Sequence, residues 1–148
     1  MSHYPPITPH LAITDVAAAL DFYPKAFDAT ERLRLSLPDG SVAHAELEFN
    51  GALVTIGAAG EMFGLSQPDG DGPAEVVITL SVPDTDAAYA RALDAGATSA
   101  SEPADQFHGD RTAAVRDPFG HKWTFQTHLE DVDPEEMQRR LTALMTGS

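Results

Sequence analysis

The sequence predicts an α+β fold made of two βαβββ units in tandem, forming a curved, partly open mixed-sheet cleft, with a helix after the second unit. Two observations carry the tandem arrangement. The hydrophobic pattern switches repeatedly between a period of two and a helical period. Landmarks also recur at one spacing: Asp15 and Asp84, each closing a strand and opening a helix, are 69 positions apart, as are Gly51 and Gly120, each ahead of its unit's last strand. The stretch Phe27-Asp28-Ala29-Thr30 matches Ala95-Gly96-Ala97-Thr98 at an offset of 68, so a small insertion intervenes. The shared order of cap, helix, turn and strand makes repetition the better account.

Each element has its own signal. Leu11 and Ile13 alternate with His10, Ala12 and Thr14 in a first strand. Asp15 then caps an Ala-rich helix, its carboxylate accepting from unpaired N–H groups, and Pro24 is placed to kink or shorten that helix. Leu33, Leu35 and Leu37 alternate with Arg32, Arg34 and Ser36 ahead of the turn Pro38-Asp39-Gly40. Strands follow over 41–50 and 52–57. The Gly-, Pro- and Asp-rich stretch 58–73 reads as an exposed crossover and a candidate mobile lid. A strand over 75–82, a helix from Asp84 closed by Gly96, and strands over 97–101, 112–116 and 121–128 complete the second unit. Asp133, Pro134 and Glu136 form a capping-box-like start to a last helix, with Met137, Leu141, Leu144 and Met145 as its apolar stripe. That stripe either docks on its own domain or meets a second copy. The expected limits are 1–57 for the first module, 58–73 for the crossover, 74–129 for the second module and 130–148 for the capped helix, all in one compact domain.

Composition narrows the function. The 148 residues carry 9 Lys and Arg against 23 Asp and Glu, a net charge of −14. Such a field repels polyanions, so no nucleic-acid partner is expected. With no cysteine, disulfides, thiolate metal sites and a cysteine nucleophile are excluded. The start Met1-Ser2-His3-Tyr4-Pro5-Pro6 lacks the pattern of a signal peptide, and no apolar run approaches the ~20 residues of a membrane span, so a cytoplasmic location is expected. Phosphate-cradling glycine loops and a serine nucleophile elbow are also missing; Gly70-Asp71-Gly72 is a turn.

Alternation sorts the strands into faces. Leu11, Ile13, Ala43, Ala45, Leu47, Phe49, Val76, Ile78, Leu80, Val82, Trp123 and Phe125 are expected under the helices. The opposite face carries Thr8, His10, Ala12, His44, Glu46, Glu48, Thr55, Val77, Thr79, Ser81, Lys122, Thr124, Gln126 and His128, joined by Arg32 and Arg34. Two such sheets curving toward each other would enclose a polar-lined cleft suited to a small ligand.

The stretch from Thr8-Pro9-His10-Leu11-Ala12-Ile13-Thr14-Asp15 into Asp21-Phe22-Tyr23, with Asp117-Pro118-Phe119-Gly120-His121-Lys122-Trp123, resembles the vicinal oxygen chelate superfamily of glyoxalase I, bleomycin-resistance proteins and extradiol dioxygenases. Gln106-Phe107-His108-Gly109-Asp110-Arg111, Thr127-His128-Leu129-Glu130-Asp131 and Pro134-Glu135-Glu136 look like its PhnB-like branch. The resemblance implies paired βαβββ modules, a small organic ligand and a homodimer, whose contacts would also cover open sheet edges. It places the metal-ligand positions of glyoxalase-type members at Thr8, Thr55, Val77 and Thr124, where neutral hydroxyls and an aliphatic group cannot make a normal divalent site. No cofactor is therefore expected. The leading expectation is a binding or mild acid/base protein, with His10, His44 and Glu46 as candidate catalytic residues and Thr8, Arg32, Arg34, Thr55, Thr79, His108, Arg111, Thr124 and Gln126 as candidate ligand contacts. A shifted metal site at His10, His44 and Glu46, serving a lyase or dioxygenase, is one alternative. Another is a non-catalytic structural or regulatory dimer. Against any site, His10 and His44 would merely hydrogen-bond in a polar cleft while Glu46 pairs with Arg32 or Arg34. Arg111 either recognises an anion or, with Asp110, staples its loop. Trp123 reads as core, His121 as exposed and His128 as a strand-end hydrogen-bonder.

Overall fold

The computed structural model describes residues 4–147; Met1, Ser2, His3 and Ser148, the ends of the stretches read above, lie outside the described residues. The first module is β1 (His10–Ile13), α1 (Val16–Phe27), β2 (Thr30–Ser36), β3 (Val42–Phe49) and β4 (Ala52–Ala58). The second is β5 (Val77–Ser81), α2 (Thr85–Ala95), β6 (Thr98–Asp105), β7 (Asp110–Arg116) and β8 (Lys122–His128), followed by α3 (Pro134–Thr146). The two sheets have the orders β1-β4-β3-β2 and β5-β8-β7-β6, each with one parallel pair, β1 with β4 and β5 with β8. The repeat holds at the level of register: His10 lies opposite Thr55, and Thr79 opposite Thr124.

The predicted caps form. Asp15 accepts from Ala18 N at 3.1 Å, Asp84 from Ala87 N at 3.1 Å and Asp133 from Glu136 N at 2.9 Å. Asp28, at φ 59°, ends α1 in the left-handed conformation, in the place where Gly96 ends α2. Pro24 does not shorten α1, which runs on to Phe27. Its last-turn carbonyls, Pro24 O and Lys25 O, accept from the Arg91 guanidinium of α2 at 3.3 and 2.7 Å, which satisfies groups a helix end leaves open. Asn50 and Gly51, both at positive φ, make the tight β3–β4 turn. The corresponding β7–β8 turn, Asp117 to His121, is one residue longer, which accounts for the change of offset from 68 to 69.

Both helices face inward and pack against each other, so the modules share one core. Trp123 and Tyr23 are its largest enclosed side chains, and Phe27 and Phe49 lie 4.8 and 5.0 Å from the Trp123 ring. Two expected core positions are corrected. Val76 precedes β5 and is 72% exposed, because the strand begins only at Val77. Val42 joins the core rather than Ala43, since the β2–β3 register shifts between Leu35 and Ser36. Pro103 sits within β6, an edge strand, where the missing N–H interrupts no interior ladder.

Asp117 is the residue that the sequence reading under-valued. Its buried carboxylate accepts from Tyr23 O–H at 2.5 Å, Trp123 Nε1–H at 2.8 Å, Phe119 N at 2.9 Å and His121 N at 3.0 Å. One side chain thereby ties α1 of the first module to the β7–β8 turn of the second. Burial, reinforced by the neighbouring Asp117 charge, raises the Tyr23 pKa well above its ordinary value, so the phenol stays protonated and donates. His121, expected to be exposed, is half-buried and bonds through Nε2 to Ala12 O of β1 at 2.9 Å.

The crossover is fastened rather than lying free. Gln67 Oε1 accepts from Thr14 N at 2.7 Å, and Arg116 donates to Gly72 O. Pro68 O packs so close to Gly120 that a Cβ there would come within 2.4 Å of it. The last helix is held by Arg140, which donates to Phe107 O at 3.1 Å and pairs with Glu130 at 2.8 Å. Its stripe is only half covered, with Leu144 and Met145 exposed. Among the described residues, no helix is long and apolar enough to cross a membrane.

Replacing Asp117 by Ala leaves the Tyr23 hydroxyl and the Trp123 indole N–H unpaired inside the core. The expected loss is about 2–5 kcal/mol in a urea melt, against about 1–2 kcal/mol for Tyr23→Phe. Equal losses for the two variants would contradict the role given to Asp117.

Candidate functional site

The polar face of the first sheet gathers the three candidate catalytic residues. Thr55 on β4 stands between His10 on β1 and Glu46 on β3, and the next row sets Gly57 between Ala12 and His44. His10 Nδ1 is 2.7 Å from Thr55 Oγ1, and the Thr55 hydroxyl in turn donates to Pro9 O at 3.2 Å. In the tautomer protonated at Nδ1, Thr55 Oγ1 accepts from His10 and Nε2 keeps its lone pair; in the other tautomer the Thr55 hydroxyl donates to Nδ1. The His10 and His44 rings stack, 5.8 Å apart at 22°. Partial burial, and then the nearby His44, hold the His10 pKa below its usual value. A neutral imidazole with a free Nε2 is suited to accept a hydrogen bond or a proton near neutral pH.

Glu46 is the enclosed group in this row, its side chain only 6% exposed. Its Oε2 accepts from the Tyr4 hydroxyl and lies 3.8 Å from His44 Nε2. The expected pairing of Glu46 with Arg32 or Arg34 does not occur. Arg32 lies 4.0 Å from Glu48, and Arg34 bonds Glu31 at 2.8 Å. The reason is a bulge in β2 between Glu31 and Leu33, which reverses the alternation. Arg34 is set opposite Ala45, on the helix side, so its expected place on the polar face is corrected. Leu33 and Leu35 come opposite Glu46 and His44 instead, and both are exposed.

Gly57 forms the floor of the site. A Cβ there would fall 2.4 Å from His10 Nε2 and 3.2 Å from Leu65 Cδ1 of the crossover. The His10 ring can occupy its place only because this residue has no side chain.

The remaining candidates are more scattered. On the second sheet Thr79, Thr124 and Gln126 share one face, and Gln126 donates to Ser81 Oγ at 3.1 Å. A groove of about 340 Å³ between the modules brings Arg32 together with Thr79, beside Ile7, Pro9, Leu53 and Ile78. A wider hollow of about 890 Å³ is lined by Thr14 and the crossover from Ala59 to Asp69. Neither is lined by His10, His44 or Glu46. His108 rests edge-on against Phe107. Arg111 bonds Asp86 at 2.6 and 2.9 Å and Asp105 at 2.8 Å, and it lies opposite Thr127 on the helix side. It is engaged in clamping β7 to the start of α2. His128 bridges Asp110 and Asp131 at 3.0 and 2.8 Å, as expected of a strand-end residue, and those two carboxylates raise its pKa.

The positions that the resemblance assigns to metal ligands hold Thr8, Thr55, Val77 and Thr124. The Thr55 oxygen is already shared by His10 and Pro9, while Thr8 Oγ1 is enclosed without a hydrogen-bond partner among the described residues. Three neutral hydroxyls and a valine do not suit zinc, nickel or iron. Among the described residues, no three His, Asp or Glu side chains form a group able to hold a metal ion, the His10, His44 and Glu46 set included.

With paired βαβββ modules and this face established, likeness to known proteins becomes informative. The family model described as the Glyoxalase/Bleomycin resistance protein/Dioxygenase superfamily matches residues 5–125. The chain belongs to this superfamily. An uncharacterized protein of Mycobacterium bovis is 42% identical over 146 residues, covering 97% of this chain and 96% of that one. TioX from Micromonospora sp. ML1 superposes with a TM-score of 0.68 at 31% identity, over 87% of this chain and all of TioX. A gene product of Arabidopsis thaliana gives 0.67 at 30% identity, over 83% and 98%. In this superfamily member the matched segment contains β1 to β7 and the start of β8, and α3 lies beyond it.

Gly57→Ala should leave the fold within about 1 kcal/mol of the parent, because a side chain rather than backbone must give way, yet drive the His10 ring off its seat. The His10 pKa then rises toward 6.5, read by NMR titration of the imidazole signals. In the parent, a depressed His10 pKa removes stability as pH falls below about 6.5 and through the folded value. The stability of the parent minus that of the variant should therefore be greater at pH 8 than at pH 5. An unchanged His10 titration would count against the seat.

Proposed function

We propose that this superfamily member binds a small organic molecule against the polar face of its first sheet, without a glyoxalase-type metal ion. His10 Nε2 serves as acceptor or base, the Glu46 carboxylate as anchor, and His44 and Thr55 set their positions. The carrying observation is the joining of His10, its Nδ1 held at Thr55 Oγ1, with His44 and an enclosed carboxylate on one face. The donor chemistry of Thr8, Thr55, Val77 and Thr124 supports a metal-free site. Sequestration needs only this surface, and acid/base turnover needs in addition a substrate proton within reach of Nε2.

The same reading makes the protein a cytoplasmic homodimer of the PhnB-like branch, with modules at 1–57 and 74–129 joined by 58–73. In it Thr79, Thr124 and Gln126 meet the ligand from the second sheet, and Arg32, Thr8, His108 and Arg111 lie around or behind it. Support for a second copy comes from the sheet ends β1, β2, β5 and β6, which lack outer partners within their own sheets, and from the exposed Val77 and Thr79 of β5.

The test is NMR of the imidazole signals during titration with a small-molecule library and, separately, with zinc, nickel and iron(II). Organic ligands are expected to shift His10 and His44 while His128, tied to Asp110 and Asp131, stays in place. Stoichiometric, tight metal shifts at His10 and His44, abolished by His10→Ala, would instead establish the metal-dependent lyase or dioxygenase reading. A library that moves neither histidine would favour the non-catalytic dimer.

A further inference from the structure

The segment Tyr4-Pro5-Pro6-Ile7-Thr8-Pro9 approaches the first-sheet face and meets its ladder only at Pro9. Three of its six residues are proline and donate no backbone N–H. Among the described residues its one backbone anchor is Pro9 O, which accepts from Thr55 N at 2.9 Å. Residues 4–7 are exposed, Ile7 by 85%. From this loosely held stretch the Tyr4 hydroxyl nevertheless reaches Glu46 Oε2. An enclosed carboxylate needs a donor, and the phenol supplies it. That hydrogen bond is also the main reason the Tyr4 pKa is raised, so the group remains a donor. Leu33 and Leu35, exposed and opposite Glu46 and His44, offer an apolar shelf beside the anchor. Among the described residues, the enclosed Thr8 hydroxyl on the same segment has no hydrogen-bond partner.

We infer that Tyr4 is a built-in stand-in for the ligand: residues 4–9 form a strap whose phenol occupies Glu46, and the molecule this face takes is a phenol whose hydroxyl replaces that of Tyr4 while its ring lies on Leu33 and Leu35. The inference rests on the first-sheet face being the binding surface. Chemistry favours this class. The site asks for one neutral O–H donor attached to a flat apolar body, which is what Tyr4 itself presents. The strap sets a threshold, since a ligand must first displace an intramolecular hydrogen bond.

The probe is p-cresol, the side chain of tyrosine as a free molecule, titrated into the full chain and into Tyr4→Phe, with the His10 and His44 imidazole signals as readout. Toluene and 4-methylanisole, which have the ring but no donor, serve as controls. The variant is expected to bind p-cresol about tenfold more tightly than the parent, as loss of one charge-assisted hydrogen bond implies, and neither control should give a saturable shift. Equal p-cresol affinity in the two proteins overturns the strap while leaving the binding face intact. Controls that shift the histidines as p-cresol does overturn the donor requirement. If p-cresol moves neither histidine in either protein, the face itself is not the binding surface and the inference falls with it.

Discussion

The Asp117 carboxylate joins the two halves of this chain. Carrying a carboxylate into a protein interior is costly unless its lone pairs are met. Here they are met by two backbone N–H groups of its own turn, by the Trp123 indole and by the Tyr23 phenol. The first three hold the β7–β8 turn in shape. The fourth comes from α1 of the other module, so the turn cannot form its full set of bonds unless the helices are already side by side. Arg91 on the α1 carbonyls and His121 on Ala12 O reinforce the junction from either side. These contacts fix β1, and with it His10, relative to the rest of the molecule.

One frame occurs twice, and the two occurrences differ on their polar faces. Where the first sheet carries His10 opposite Thr55, the second has Thr79 opposite Thr124 in the same register. Where the first has Glu46 opposite Thr55, the second has Ala114 opposite Thr124. The backbone is therefore common property, and the His10, His44 and Glu46 set lies in the first module alone. Within it, burial distinguishes the residues: the hydroxyl of Thr55 orients an imidazole, Gly57 makes room for it, and Glu46 sits below a segment that supplies its donor. Each role follows from what the neighbouring strand places across the ladder.

Most of the frame was legible in the sequence because it is written locally. A cap such as Asp15 acts on an N–H three residues away, alternation in β4 and β8 repeats every second residue, and the recurrence of Asp15 and Gly51 as Asp84 and Gly120 needs only counting. The gathering of His10, His44 and Glu46 on one face was also accessible from alternation. What was not legible depends on a break in the period or on contacts distant in sequence. The bulge after Glu31 turned Arg34 under the helix and brought Leu33 and Leu35 up beside Glu46. Tyr23 meets Asp117 across 94 residues and Tyr4 meets Glu46 across 42, and no local pattern announces either. The Asp-Pro-Phe-Gly motif did mark Asp117 as a turn residue, and the combination of a turn aspartate with a Trp six residues on was the available hint of more.

The central claim is that the first-sheet face works through His10, His44 and Glu46 over a hydroxyl frame, and not through an ion at the positions where superfamily relatives would place one. The most direct measurement is a crystal structure of the protein as purified, with an anomalous scattering scan across the zinc, nickel and iron edges. The account predicts ligand density against His10 and Glu46 and no anomalous peak beside Thr8, Thr55, Val77 or Thr124. A metal peak at those four residues, or a ligand bound only in the crossover hollow, would contradict it.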